Sequence, residues 1–341
     1  MIGLAELIIF ILFLGFINFF LLKKNILVDI PNIEKHKKEI FFSKKVPKSL
    51  GLIFMMFILY KFEHDIYQKI FIFFIFFLGI LSDIKIINSP RVRFCIQAII
   101  IFFYLSYSKN LIDDTKIPFI DFLIRYELLQ LLITLFCILI IINGSNFIDG
   151  LNTLCIGYYL NIFIILYFLN PTLIYPFEHI DSFIMIISIL FIFNFLGKSF
   201  LGDGGSYLLG FFVSIILVKL HIHNAVISPW FFAVLLWYPA FENLFSIIRR
   251  SFKKENPFLP DNAHFHHLIY LYFKKKYNFK SHLLNPIIAN LINIFNLAIL
   301  LLALQYNNQS IILINIFMFN CIVYLVVYFF LKKNILFLNI N

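Results

Sequence analysis

The stretch YELLQLLITLFCILIIINGSNFIDG, residues 126–150, decides how the chain is read. Its first seventeen residues carry one charged side chain, Glu127; the next few bring Asn143, Asn146 and Asp149 together with Gly144 and Gly150. Seventeen mostly apolar residues come close to the ~20 that a helix needs to cross a bilayer. The run therefore reads as a span, and NGSNFIDG as the polar mouth at its end.

The whole chain repeats this pattern. Of 341 residues, 62% are hydrophobic and 13% charged, and the mean hydropathy is +0.93. A soluble domain carries about 25% charged residues. The composition predicts an all-α, polytopic transmembrane bundle in a single integral-membrane domain over 1–341. About eleven apolar runs fit as spans, giving about 10–11 transmembrane helices: 2–22, 46–62, 66–82, 92–108, 126–143, 150–169, 180–197, 205–221, 229–249, 284–304 and 310–331. The first lacks a basic leading segment and carries Glu6, so it reads as a retained span rather than a cleaved signal. Cys95, Cys137, Cys155 and Cys321 lie in apolar runs without C-x-x-C spacing and read as buried thiols, neither disulfide framework nor metal site.

Charge sets the orientation. With the N-terminus outside and the C-terminus in the cytoplasm, 22 of the 28 Lys and Arg fall on one side, in loops 23–48, 83–93, 198 and 249–280 and at the C-terminus. Cytoplasmic loops carry that excess. The net charge of +10 is then accounted for by the anionic inner leaflet, with no nucleic acid implied. The same topology gathers the polar clusters SDIKIINSPRVRF (82–94), NGSNFIDGLNTL (143–154), FLGDGGSYLLGF (200–211) and PDNAHFHHL (260–268) on one face, in loops 23–48, 82–93, 143–150, 198–206 and 249–283.

Each cluster has a chemical and a plain reading. Asn143, Asn146 and Asp149 recur every three residues, and amides with a carboxylate suit a nucleobase, ribose or phosphate; a polar turn between helices would look alike. In GDGGS, Asp203 at a glycine-rich helix start suits Mg²⁺ and phosphate, and a simple Gly-rich turn is the alternative. An ionisable residue near membrane depth favours the metal-ligand reading. His264, His266 and His267 lack a Cys companion, and their nearest acid is Asp261, which argues against zinc. In a loop with Arg249, Arg250, Lys253 and Lys254 they read as donors to a diphosphate; an interfacial amphipathic segment is the alternative. Asp113–Asp114 and Glu178–His179 fall on the opposite face, the first reading as a solvated loop, and His221 and His223, also placed there, read as a wetted helix end. Glu242, seven residues before Arg249, suits either a sugar hydroxyl or a pairing with a base.

Taken in order, these segments resemble the polyprenyl-phosphate sugar-1-phosphate transferases, glycosyltransferase family 4, in the branch that initiates O-antigen and teichoic-acid synthesis. DIPN (29–32) and VPKSLG (46–51) resemble the family's first loop, and GILSDIKIINSPRVRFCIQ its G-x-x-D-D segment. NGSNFIDGLNTL resembles N-x-x-N-x-x-D-G-x-D-G-L, NFLGKSFLGDGGSYLLG resembles N-F-x-P-A-K-x-F-x-G-D-x-G-S-x-x-L-G, and the 249–268 segment resembles R-R…P-D-x-x-H-x-H-H.

The resemblance implies transfer of a sugar 1-phosphate, of N-acetylhexosamine type, from a UDP-sugar to undecaprenyl phosphate. UMP would be released at the cytoplasmic face of a bacterial inner membrane. It implies Mg²⁺ (or Mn²⁺) on Asp203, catalytic roles for Asp83, His264, His266 and His267, and substrate contacts from Lys45, Asn143, Asn146, Asp149, Asn152, Asn194, Lys198, Arg249 and Arg250. A homodimer is compatible with it. The chain departs from the family at Ser82, where a first Asp is usual, at Asn152 for a second Asp, at Leu52 for Gly, and at Leu196–Gly197 for Pro-Ala. A transporter of lipid-linked sugars, or an inactive homologue acting as a binding partner, are the alternative readings. The first calls for polar groups deep in the spans and for internal repeats, and no repeat is visible.

Overall fold

A computed structural model describes residues 4–29, 45–61, 66–169, 179–252, 254, 263–277 and 281–337. Of the expectations above, residues 30–32, Glu178, Lys253 and 260–262 lie outside the described residues. Fourteen helices are described: α1 Leu4–Lys24, α2 Leu50–Lys61, α3 Ile66–Asp83, α4 Pro90–Ser108, α5 Pro118–Leu123, α6 Glu127–Ile148, α7 Leu154–Phe168, α8 Ile180–Phe195, α9 Gly202–His223, α10 Pro229–Leu235, α11 Trp237–Phe252, α12 Phe265–Tyr277, α13 Ser281–Gln305 and α14 Ser310–Phe337. Two two-residue strands, Val28–Asp29 and Val46–Pro47, pair antiparallel.

Among the described residues seven helices are long and apolar enough to cross a membrane, or eight if the bent pair α10–α11 counts as one span. The expected runs are helical, but four are not simple spans. Helices α2, α7 and α8 have 12, 15 and 16 residues. At 1.5 Å per residue, 12 residues reach only ~18 Å against a ~30 Å hydrocarbon core. The 229–249 run is two helices bent by 72°. Pro239 has no N–H to give to the Leu235 carbonyl, which is freed. The Tyr158 hydroxyl takes the freed group, donating to Leu235 O at 2.7 Å and accepting from Tyr238 N at 3.4 Å.

Helix α9 is the central post, buried over 83% of its span window. It crosses α3 at backbone contact: a Cβ on Gly79 would sit 2.5 Å from Gly204 Cα, so only glycine allows this approach. Its N-terminal end holds Asp203. Its C-terminal end, ~27 Å away by helix rise, holds His221, whose Nε2 lies 3.0 Å from Asp113 Oδ1. Asp114 pairs with Lys116 at 2.5 Å. The two acids thus lie at the end of the bundle away from the other motifs, as the charge pattern predicts. Glu6 of α1 bonds Tyr60 at 2.5 Å at that far end of α2, while the last turns of α14 reach Arg249 at the motif end. The four cysteines are free; Cys155 and Cys321 are buried as expected, but Cys137 is half-buried and Cys95 exposed, because Cys95 stands on an outer face of α4.

Candidate active site

Two polar clusters meet at one end of the bundle. The first joins the C-terminus of α3 to the N-terminus of α9. Asp83, 1% exposed, accepts from Lys48 Nζ at 2.8 Å and from Gly204 N at 3.0 Å, so both oxygens are engaged. Lys48 is brought there by the short strand pair, where Lys48 N donates to Leu27 O and Phe200 N to Pro47 O. Burial alone would lower the Lys48 pKa; the charge of Asp83, its hydrogen bond and the charge of Asp203 outweigh that and hold it above the usual lysine value. Asp203 is 28% exposed: Oδ2 accepts from Arg93 Nη1 at 2.8 Å and Ser82 Oγ at 2.5 Å, and Oδ1 from Asn146 Nδ2 at 2.8 Å. Arg93 also donates to Ser82 Oγ. Asn143 donates to Gln97 Oε1 at 2.9 Å on the same wall.

The second cluster is carried by the start of α12. His264 Nδ1 lies 2.8 Å from Glu242 Oε1. His266 is fully buried, and neither ring nitrogen has a hydrogen-bond partner among the described residues. Burial, with the charges of His267 and His264, pushes the His266 pKa well below the usual range; burial, with His264, pushes His267 down to about 3. Both rings are therefore neutral at neutral pH. Gly150, at the end of α6, faces them: a Cβ there would lie 2.6 Å from His267 Nε2 and closer still to His266 Nε2.

A groove of about 660 Å³ is lined by residues of both clusters, among them Arg93, Asn143 and Asn146 and also Arg250, His264 and His267. Its apolar side, at Phe136, Ile140 and Leu244, is shared with a second cavity of about 490 Å³ that extends to Asp114, Thr115 and His221 at the far end.

Several residues read from the sequence as substrate contacts sit elsewhere. Arg249 donates to Ala263 O, to Tyr328 Oη and, at 3.1 Å, to Ser246 Oγ, between the rings of Phe245 and Tyr328; it clamps the histidine-bearing turn. Asn194 braces the α6–α7 turn, accepting from Thr153 N at 2.5 Å and donating to Ser199 O at 2.9 Å. Asn152 is buried, its N–H on Asn285 Oδ1 at 2.8 Å. Lys45 is exposed and bonds Asn25, and Lys198 is exposed outside the groove lining. Asp149 is half-buried as the residue capping α6, beyond the helical face that Asn143 and Asn146 share. The sequence reading gave no individual role to Lys48, Arg93, Gln97 or Asn243, although VPKSLG and SPRVRF contain the first two. Asn243 lines the groove and donates to Ile140 O at 2.9 Å.

The arrangement defines a class: a helical, membrane-type bundle with a groove lined by arginines and histidines at one end and an apolar cavity leading from it. Over residues 66–221 the chain matches the family model described as glycosyl transferase family 4. It is 31% identical over 207 residues to a probable undecaprenyl-phosphate N-acetylglucosaminyl 1-phosphate transferase of Bacillus subtilis (57% of this chain, 55% of that protein). It is also 31% identical over 210 residues to the undecaprenyl-phosphate alpha-N-acetylglucosaminyl 1-phosphate transferase of Escherichia coli K12 (57% and 54%). Over 71 residues it is 39% identical to the Thermotoga maritima protein of that name (21% and 23%). The chain spans about half the length of the first two.

Proposed function

We propose that the chain transfers a sugar 1-phosphate from a UDP-sugar to undecaprenyl phosphate at the cytoplasmic face of a bacterial inner membrane, releasing UMP. The observation that carries this reading is the shared wall of the two cavities. A groove lined by Arg93, Arg250 and two histidines adjoins, at Phe136, Ile140 and Leu244, an apolar cavity running along the bundle. An acceptor with a phosphate head and a long hydrocarbon tail matches that junction, and the count of 22 of the 28 Lys and Arg in the sequence loops that carry these motifs favours the cytoplasm. The names of the relatives make UDP-N-acetylglucosamine the first donor to test.

Phosphoryl transfer asks the protein mainly for positioning and charge stabilisation. Arg93 and Arg250, which both line the groove, would hold diphosphate oxygens, and Asn146 ties Asp203 to α6. Mg²⁺ commonly binds through one or two carboxylates and completes its shell with substrate phosphates and water. Part-exposed Asp203, with the amide of Asn146 beside it, is a donor set of that kind. Asp83 is not, because its side chain is buried where that of Asp203 is part-exposed. Bound at Asp203, the ion would offset diphosphate charge. Ser82 keeps its hydroxyl on Asp203, so the missing family carboxylate leaves a neutral donor there.

The test is UMP release from a UDP-sugar panel by the detergent-purified chain with undecaprenyl phosphate and Mg²⁺, beside Asp203→Asn. Release that depends on lipid, metal and Asp203, with at least a 100-fold loss in the variant, supports the reading. A folded preparation that releases nothing from any donor overturns it.

A further inference from the structure

Glu242 stands in the first turns of α11, just beyond the bend at Pro239, 1% exposed and outside the groove lining. We propose that Glu242 is a positioning residue whose carboxylate holds the His264 imidazole by Nδ1 and so presents Nε2 to the bound phosphates; this rests on the transferase reading above. The carboxylate is itself held at both oxygens. Oε1 accepts from His264 Nδ1 at 2.8 Å and from Phe265 N at 3.4 Å, and Oε2 accepts from Tyr324 Oη at 2.8 Å.

The ring it holds has little freedom. Phe147 packs on it at 5.0 Å between centroids, and His266 lies nearly parallel at 5.8 Å, with 5° between the planes. A neutral imidazole carries one N–H, and the partner at one nitrogen decides the state of the other. With Nδ1–H committed to Glu242, the lone pair is at Nε2, on the atom left for the groove that His264 lines. That atom can take the proton of an acceptor P–O–H, breaking O–H and forming N–H. The resulting imidazolium then faces the Glu242 charge. A sugar contact by Glu242 does not fit this geometry, since the carboxylate lies behind His264. A purely structural role needs no charge at a position surrounded by Phe241, Phe245 and Tyr324, where burying a carboxylate is costly.

The experiment uses the full chain in detergent with Glu242→Ala and Glu242→Gln, read by UMP release and by the ¹⁵N spectrum of histidine-labelled protein, with the His264 signal assigned from His264→Asn. The expected result is a kcat for Glu242→Ala lowered about 100-fold or more, in the range general acid–base catalysis contributes, with KM for the donor within threefold. Glu242→Gln, whose carbonyl still accepts from Nδ1–H, should recover at least tenfold of that loss. The wild-type spectrum should show the Nδ1–H tautomer of His264, and Glu242→Ala should lose it. Wild-type kcat in folded Glu242→Ala, or an Nε2–H tautomer in the wild-type chain, overturns the inference. If Glu242→Ala does not fold, Glu242→Gln and the wild-type spectrum decide. Absence of UMP release from the wild-type chain counts against the transferase reading alone, because the tautomer measurement still decides the role of Glu242.

Discussion

Gly150→Ala places a methyl group between the end of α6 and the histidines of α12. Its Cβ would fall 2.6 Å from His267 Nε2, where ordinary contact begins at 3.4 Å, so that ring must retreat by the difference, about 0.8 Å, and His266 by more. His266 is fully buried, and the turn before α12 is clamped through Ala263 by Arg249, so the retreat has no free direction. Overpacking of this kind costs about 1–3 kcal/mol of stability. Displacing a catalytic group by ~1 Å costs about 100-fold in turnover. The assay is UMP release per folded molecule, with thermal melting in the same detergent. Gly15→Ala is the control, because a Cβ at Gly15 meets nothing within 4 Å; it should leave turnover unchanged. Gly150→Ala that melts near wild type and turns over within threefold of it would refute the claim that the histidines work from the positions described.

Two further outcomes follow from the same geometry. His267, held at about 3 in the native chain against ~6.5 when unfolded, leaves the unfolded state binding the extra proton between those values. Stability should therefore fall as pH drops below 6.5, by up to about 2 kcal/mol at pH 5 from this residue; melting at pH 7 and pH 5 measures it, and His267→Asn should flatten the dependence. Ser82→Asp sets a second carboxylate against Asp203, where the serine hydroxyl now lies at 2.5 Å. It should lower the Mg²⁺ concentration for half-maximal UMP release several-fold, since added ligand charge tightens such sites; an unchanged requirement would separate Ser82 from metal binding.

What the sequence shows and what it hides divide along physical lines. The gathering of four distant motifs at one end of the bundle was legible because hydropathy and basic charge alternate along the chain. Individual roles were not. Arg249 and Arg250 are neighbours in sequence but ~100° apart on the helix, so one braces the fold while the other lines the groove. Lys48 and not Lys45 reaches Asp83, because a two-residue strand register, too short to leave a pattern, sets which lysine points inward. The partner of Glu242 lies 22 residues later, just before another helix, and no helical spacing could announce it. The 229–249 run reads as one span in sequence; the backbone groups freed at its bend are held by Tyr158, some eighty residues earlier, which no local pattern announces.

That hydroxyl also settles what kind of bend this is. A helix interrupted by proline with loose backbone groups works as a joint, since either geometry leaves the same bonds unmade. Here the Leu235 carbonyl and the Tyr238 N–H share one fixed partner, and Gly144 of α6 lies against the Pro239 carbonyl with no room for a side chain. The bend is a braced corner post. On the proposed reading, the part of the cleft carrying Asn243 and Leu244 is held by this brace, and a long-chain molecule would be accommodated instead on the side of α4, which shows much of its surface to the surroundings.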